Sequence, residues 1–163
     1  MTSVEHQPIK ILFVDDEKGI LLSLSHLLRN EDFEVLTATS GEEGLEIISN
    51  TEEIGVIISD QIMPTMSGVD FLRKAWELAP DSLRIMLTGH GGLNVEHEAL
   101  YKGGAYRFIS KPWKNDELIQ ALRDAVTIYS LIRENRRLTS LLSPLKTSEK
   151  ADLNRENTYS AAA

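Results

Sequence analysis

The sequence contains no cysteine among its 163 residues. Disulfide bonds and thiolate metal sites are therefore excluded, and the absence agrees with a reducing, cytoplasmic environment. No apolar run approaches the length of a membrane-spanning helix, and the start, MTSVEHQPIK, lacks the apolar core of a signal peptide. Basic residues are also few, with 17 lysines and arginines against 25 acidic residues and a formal net charge of −8. We therefore expect no direct binding of nucleic acid by this chain and no association with anionic membranes.

Five short apolar runs alternate with segments of helical periodicity. The runs cover residues 9–14, 33–37, 54–60, 83–88 and 105–110. Short runs rich in branched residues and bounded by turn signals are typical of strands that are buried on both faces. Regular alternation of strand and helix predicts an α/β fold, a (βα)5 doubly wound five-stranded parallel sheet with helices on both faces. The last helix begins near Asn115, and we expect it to end at Pro144 because no helix breaker comes earlier.

The segment after residue 127 differs from the rest. We predict one domain over 1–127, a helical extension over 128–145, and a polar tail over 146–163 that is disordered because it has no apolar period. The extension has apolar residues at the seam spacing of a coiled coil, and Asn135 occupies an a-type position. The seam residues are Ile128, Leu131, Asn135, Leu138, Leu142 and Leu145. Two interpretations remain open: a solvated, frayed helix, or a dimerising or signal-transmitting helix that continues into an output domain.

Charged and hydroxyl side chains stand at the ends of four predicted strands. These residues are Asp15, Asp16, Asp60, Thr88 and Lys111. In a parallel sheet these strand ends meet at one edge, which is where such sheets bind ligands. Three neighbouring carboxylates repel one another, and a hard cation such as Mg²⁺ relieves that repulsion. Together with an ammonium group and a hydroxyl, they predict a phosphoryl-transfer site in which Asp60 is the nucleophile.

In this order the residues resemble the receiver domain of two-component response regulators, which has a flavodoxin-like sheet. The matching segments are FVDDE (13–17), SDQIMPTMSG (59–68), MLTGH (86–90) and AYRFISKPW (105–113), spread over about the first three quarters of the chain. The resemblance implies a phosphorelay switch rather than a dedicated enzyme. A histidine kinase, a phosphotransfer protein or a small phosphodonor would phosphorylate Asp60, and a downstream protein or an output domain would respond.

The same resemblance assigns roles by matching position. Asp16, Asp60 and the backbone carbonyl of Ile62 would bind Mg²⁺, which Mn²⁺ could replace, and Asp15 would act through water. Lys111 would contact the phosphoryl group, and the Lys111–Pro112 peptide bond is expected to be cis.

Thr88 and Phe108 match the switch pair of this family. The surface that they would alter comprises the fourth predicted helix (around 95–102), strand five and the last helix. A homodimer would form through that surface or through the 128–145 helix.

Two positions near the expected phosphoryl group have unusual side chains. Ile62 lies two residues after Asp60, and His90 lies two residues after Thr88. Isoleucine cannot orient an attacking water, so we expect a phosphoryl group that is not short-lived. Ile62 also argues against a Mg²⁺-dependent phosphohydrolase with an aspartate nucleophile, which needs an acidic residue there. A flavin-binding electron carrier would need a hydroxyl-rich loop where Asp15 and Asp16 stand, and a phosphorylation-independent interaction module remains an alternative.

Overall fold

The computed structural model describes residues 7–89, 97–98 and 100–160, with side chains described as far as residue 143. The strands are β1 (Ile9–Val14), β2 (Phe33–Ala38), β3 (Ile54–Asp60), β4 (Leu83–Thr88) and β5 (Arg107–Ser110). All neighbouring strands pair in parallel, in the order β2-β1-β3-β4-β5. This confirms the predicted parallel α/β sheet. Residues of β3 and β4 are buried throughout, as expected for interior strands.

Four long helices lie within the described part of the chain. They are α1 (Lys18–Leu27), α2 (Gly41–Asn50), α3 (Gly68–Leu78) and α4 (Asn115–Ser160). The last is the fifth predicted helix, because the fourth predicted helix is only partly covered by the described residues. His97, Glu98, Leu100 and Tyr101 from that segment are helical. None of the described helices is long and apolar enough to cross a membrane.

Helices cover both faces of the sheet. On one face, Phe71 of α3 packs into a cluster with Leu12 and Val14 of β1. On the other face, α4 packs so closely that a Cβ atom at Gly55 would lie 2.8 Å from the ring of Tyr129. This placement leaves the carboxyl ends of β1, β3, β4 and β5 along one edge of the sheet.

Helix α3 begins directly after a side-chain cap at Ser67. The Ser67 hydroxyl accepts a hydrogen bond of 3.1 Å from the Asp70 backbone N–H and donates one of 3.0 Å to the Asp70 carboxylate. The cap satisfies an N–H group that has no partner within the helix. It therefore fixes the start of α3 at the end of the loop that follows Asp60.

Two predicted boundaries were wrong by two residues or more. Strand β5 begins at Arg107 rather than at residue 105, although the Tyr106 N–H already donates to the Arg84 carbonyl of β4, at 2.6 Å. The last helix does not end at Pro144 but continues to Ser160, through most of the segment expected to be disordered. That segment lacks an apolar face but contains no glycine or proline between residues 146 and 160, so its composition argued against packing rather than against a helix. The chain divides into two compact units after Tyr129.

Candidate functional site

Three carboxylates meet at the edge of the sheet where β1 and β3 end. Asp60 is the last residue of β3, and Asp15 and Asp16 directly follow β1. One oxygen of each lies within 4.8 Å of the others. Asp15 and Asp60 are buried and Asp16 is exposed. The structure therefore brings together the three acidic residues that the sequence placed at one edge.

Lys111 contacts two of these carboxylates. Its Nζ atom lies 2.9 Å from Oδ1 of Asp60 and 3.0 Å from Oδ2 of Asp15. The Lys111 backbone N–H donates to the Thr88 carbonyl at 2.7 Å, so the end of β4 holds the residue beside the cluster. The Lys111–Pro112 peptide bond is cis.

The surroundings shift the pKa values of Asp60 and Lys111. Burial raises the pKa of the Asp60 carboxyl, and this effect exceeds the lowering caused by Lys111. Burial by itself would lower the pKa of the Lys111 ammonium, but hydrogen bonds to Asp60 and Asp15 raise it overall. Keeping the Asp60 carboxylate ionised therefore costs free energy, whereas the neighbouring Lys111 ammonium stays charged.

The donor set suits a hard divalent cation. Three carboxylates and one ammonium leave two uncompensated negative charges when all are ionised, and all the ligand atoms are oxygen. Asp15 already accepts hydrogen bonds at both oxygens, from the Glu17 N–H at 2.9 Å and from Lys111. Both oxygens of Asp15 are thus engaged by other groups of the protein.

The loop after Asp60 returns very close to it. The Gly68 N–H donates to the Gln61 carbonyl at 2.9 Å, and a Cβ atom on Gly68 would lie 2.1 Å from the Asp60 carbonyl oxygen. No side chain fits there without moving backbone. The requirement for glycine at this position was not predicted from the sequence, in which Gly68 directly follows Ser67, the N-cap of α3. In the same loop, the Ile62 side chain is 77% exposed.

Thr88 and Phe108 lie on the same face of two neighbouring strands. Thr88 is buried at the end of β4 and pairs with Ser110, while Phe108 pairs with Met86, two residues earlier on both strands. Phe108 is half-buried against the core on the α2–α3 side. His90 lies outside the described residues, as does most of the loop between Thr88 and the fourth predicted helix.

Comparison with known proteins defines the class. The family model for the response regulator receiver domain matches residues 11–123, so the chain belongs to that family, whose general function is phosphorylation-based switching. The hydrogenase transcriptional regulatory protein HoxA of Bradyrhizobium diazoefficiens is 37% identical over 124 residues, which cover 76% of this chain and 25% of HoxA. Response regulator protein TmoT of Ectopseudomonas mendocina is 33% identical over 146 residues, which cover 90% of this chain and 64% of TmoT.

A solved structure agrees with this assignment. The crystal structure of a response regulator receiver domain protein from Clostridium thermocellum superposes with a TM-score of 0.71 at 38% identity, covering 76% of this chain and 98% of that one. It confirms the expected flavodoxin-like architecture. The chain spans about a quarter of the length of HoxA and of other curated relatives.

Proposed function

We propose that this protein is a phosphoacceptor switch that receives a phosphoryl group on Asp60. The observation that supports the proposal is the grouping of Asp60 with Asp15, Asp16 and Lys111 at one edge of the sheet. A buried carboxylate is costly to keep ionised, and ionisable groups held at such a cost are concentrated at functional sites. An ionised carboxylate oxygen can act as a nucleophile toward phosphorus.

The chemistry follows from the atoms present. An oxygen of the Asp60 carboxylate attacks the phosphorus of the donor; a new O–P bond forms, and the bond to the donor's leaving group breaks. The donor is the phosphohistidine of a histidine kinase or phosphotransfer protein, or a small acyl phosphate. Asp16, Asp60 and the Ile62 carbonyl would hold Mg²⁺, with Asp15 acting through water. Bound Mg²⁺ supplies positive charge to the phosphoryl oxygens.

Lys111 and Thr88 act on the transferred group from the protein side. The Lys111 ammonium lies 2.9 Å from Asp60 Oδ1. When the carboxylate becomes an acyl phosphate, which is a mixed anhydride, the ammonium shifts its contact to a phosphoryl oxygen. The Thr88 hydroxyl donates to another phosphoryl oxygen. As Thr88 turns toward the phosphoryl group, Phe108 on the next strand moves into the space it leaves, which changes the surface around β5.

The switch acts in the cytoplasm between a kinase and a response. Its own chemistry is a single transfer followed by slow loss of the phosphoryl group, so it is not a turnover enzyme. The output is an appended domain or a separate downstream protein. The short coverage of HoxA is compatible with the first, since HoxA is by name a transcriptional regulatory protein.

Intact-mass measurement after incubation with Mg²⁺ and acetyl phosphate tests this proposal. The wild-type chain should gain one phosphoryl group, Asp60→Asn should gain none, and Asp116→Asn should behave as wild type because Asp116 is an exposed residue in the first turn of α4. Omitting Mg²⁺ should abolish the gain. Equal labelling of wild type and Asp60→Asn would refute the assignment.

A further inference from the structure

The part of α4 that follows Tyr129 has a row of exposed apolar side chains. Leu131, Leu138 and Leu142 are 66%, 47% and 53% exposed. Together with Asn135 they are spaced by four, three and four residues, which places them on one side of the helix. They are the four central positions of the six-residue seam predicted from the sequence, and from here on the term seam refers to these four. Large apolar groups on one side of a helix indicate a surface that is buried by a partner.

Most other positions of this segment are charged or polar, apart from Ile132 and Leu141, which flank the seam at e and g positions. Arg133, Arg136 and Arg137 fall at the f, b and c positions when Asn135 is an a position, so they point away from the seam. Arg137 pairs with Glu134 of its own helix at 2.7 Å, which leaves that carboxylate partly neutralised. The basic side chains therefore create no repulsion across the seam if two copies of the helix meet there.

We propose that the seam binds the seam of a second copy of this chain, as a parallel, in-register, two-stranded coiled coil. Asn135 decides the orientation. In a parallel pair a positions face each other, so the two Asn135 amides can hydrogen-bond to one another. In an antiparallel pair an a position faces a d position, and Asn135 would lie against a leucine with its amide unsatisfied.

The seam is short, so the pairing is weak and depends on concentration. In the sequence, Ile128 and Leu145 extend the same spacing by one position at each end, but the next two seam positions are Glu149 and Asp152. An apolar seam is thus limited to about two and a half heptads, fewer than the three or four that mark a stable coiled coil. Any contact that holds two copies of the chain close together would raise their effective concentration and strengthen this weak pairing.

The chain has no cysteine, so single-cysteine variants report the pairing directly. Leu131→Cys and Leu142→Cys should each form a disulfide-linked homodimer on mild oxidation, because identical positions face each other in a parallel pair. Ser140→Cys, at the outward f position, is the matched control and should stay monomeric. Linkage only in a mixture of Leu131→Cys with Leu142→Cys would show an antiparallel pair and refute the proposal, as would equal linkage of all three variants or none.

Sedimentation of the unphosphorylated chain over a concentration series distinguishes specific pairing through Asn135 from non-specific apolar association. Leu138→Ala should weaken dimerisation by at least about tenfold, since it removes buried methyl groups from both copies. Asn135→Leu should tighten association and admit other oligomers, because a polar a residue limits stability while specifying two strands. Ser140→Ala should change neither. A monomer at all concentrations, or no response to Leu138→Ala, would contradict the proposal without bearing on Asp60 phosphorylation.

Discussion

Replacing Lys111 with methionine should destabilise the metal-free protein strongly. The Lys111 ammonium lies 2.9 Å from Asp60 and 3.0 Å from Asp15, and all three side chains are largely buried. Methionine keeps the apolar stem and removes the charge, so two buried carboxylates lose their shared cation. Breaking a buried ion pair from one side is costly because the remaining charge is uncompensated.

The distances set the scale of the effect. At an effective dielectric constant of about 20, each of the two Lys111 contacts is worth roughly 5.5 kcal/mol before desolvation. Two carboxylate oxygens of the cluster lie within 4.8 Å of each other and repel by at least roughly 3.5 kcal/mol under the same assumption. After the desolvation of the ammonium is subtracted, we expect the free energy of unfolding to fall by about 3 to 5 kcal/mol.

Urea unfolding, followed by circular dichroism in buffer with a chelator, measures this change. Lys114→Met is the matched control, because Lys114 is exposed and its pair with Glu117 spans 3.4 Å at the surface; it should change stability by less than about 0.5 kcal/mol. Saturating Mg²⁺ should restore more stability to Lys111→Met than it adds to wild type, since the variant cluster is more negative. Equal stability of the two variants without Mg²⁺ would refute the electrostatic account of the site.

Three further predictions concern the same edge of the sheet. Gly68→Ala should lower the free energy of unfolding in urea by about 1 to 3 kcal/mol, because the new Cβ atom would meet the Asp60 carbonyl oxygen. Gly19→Ala is the control and should raise it by up to about 1 kcal/mol, because nothing lies within 4 Å of a Cβ atom there. Equal effects of the two substitutions would contradict this prediction. The raised pKa of Asp60 means that the folded state keeps this proton to higher pH than the unfolded chain does, so wild type should lose stability relative to Asp60→Asn as pH rises from the ordinary aspartate value through the raised one. Thermal unfolding of both proteins against pH in chelator checks this, and a constant difference would show that the shift is absent. Ile62→Asn should shorten the life of the phosphorylated protein, because an exposed amide can orient water where Ile62 cannot; mass spectra taken during decay measure it, and an unchanged rate would remove Ile62 from the explanation.

The sheet and the acidic cluster were predictable because both depend on strand direction. Once the strands are parallel, Asp15 and Asp60 must meet at the same edge, and no side-chain detail is needed to say so. The shared contact of Lys111 with both carboxylates was not predictable to this degree, since it depends on how far a flexible side chain reaches. The metal, switch and phosphoryl roles of these residues stay predictions.

The features that sequence reasoning missed depend on the close approach of two backbone segments or on the free-energy cost of one proline within a helix. The need for glycine at position 68 comes from a loop that returns onto Asp60, which no local pattern encodes. The end of α4 was misplaced because Pro144 was taken to stop the helix. A proline removes one backbone hydrogen bond at a limited cost, and helix-forming residues on both sides can offset it.

The position of the transferred phosphoryl group tests the central claim most directly. An acyl phosphate on aspartate is reduced by borohydride to homoserine, and peptide sequencing by mass spectrometry then locates the modified residue. After incubation with Mg²⁺ and acetyl phosphate, homoserine should appear at position 60 and at no other aspartate. Homoserine at Asp15 or Asp16, with Asp60 unmodified, would contradict the assignment of Asp60 as the nucleophile.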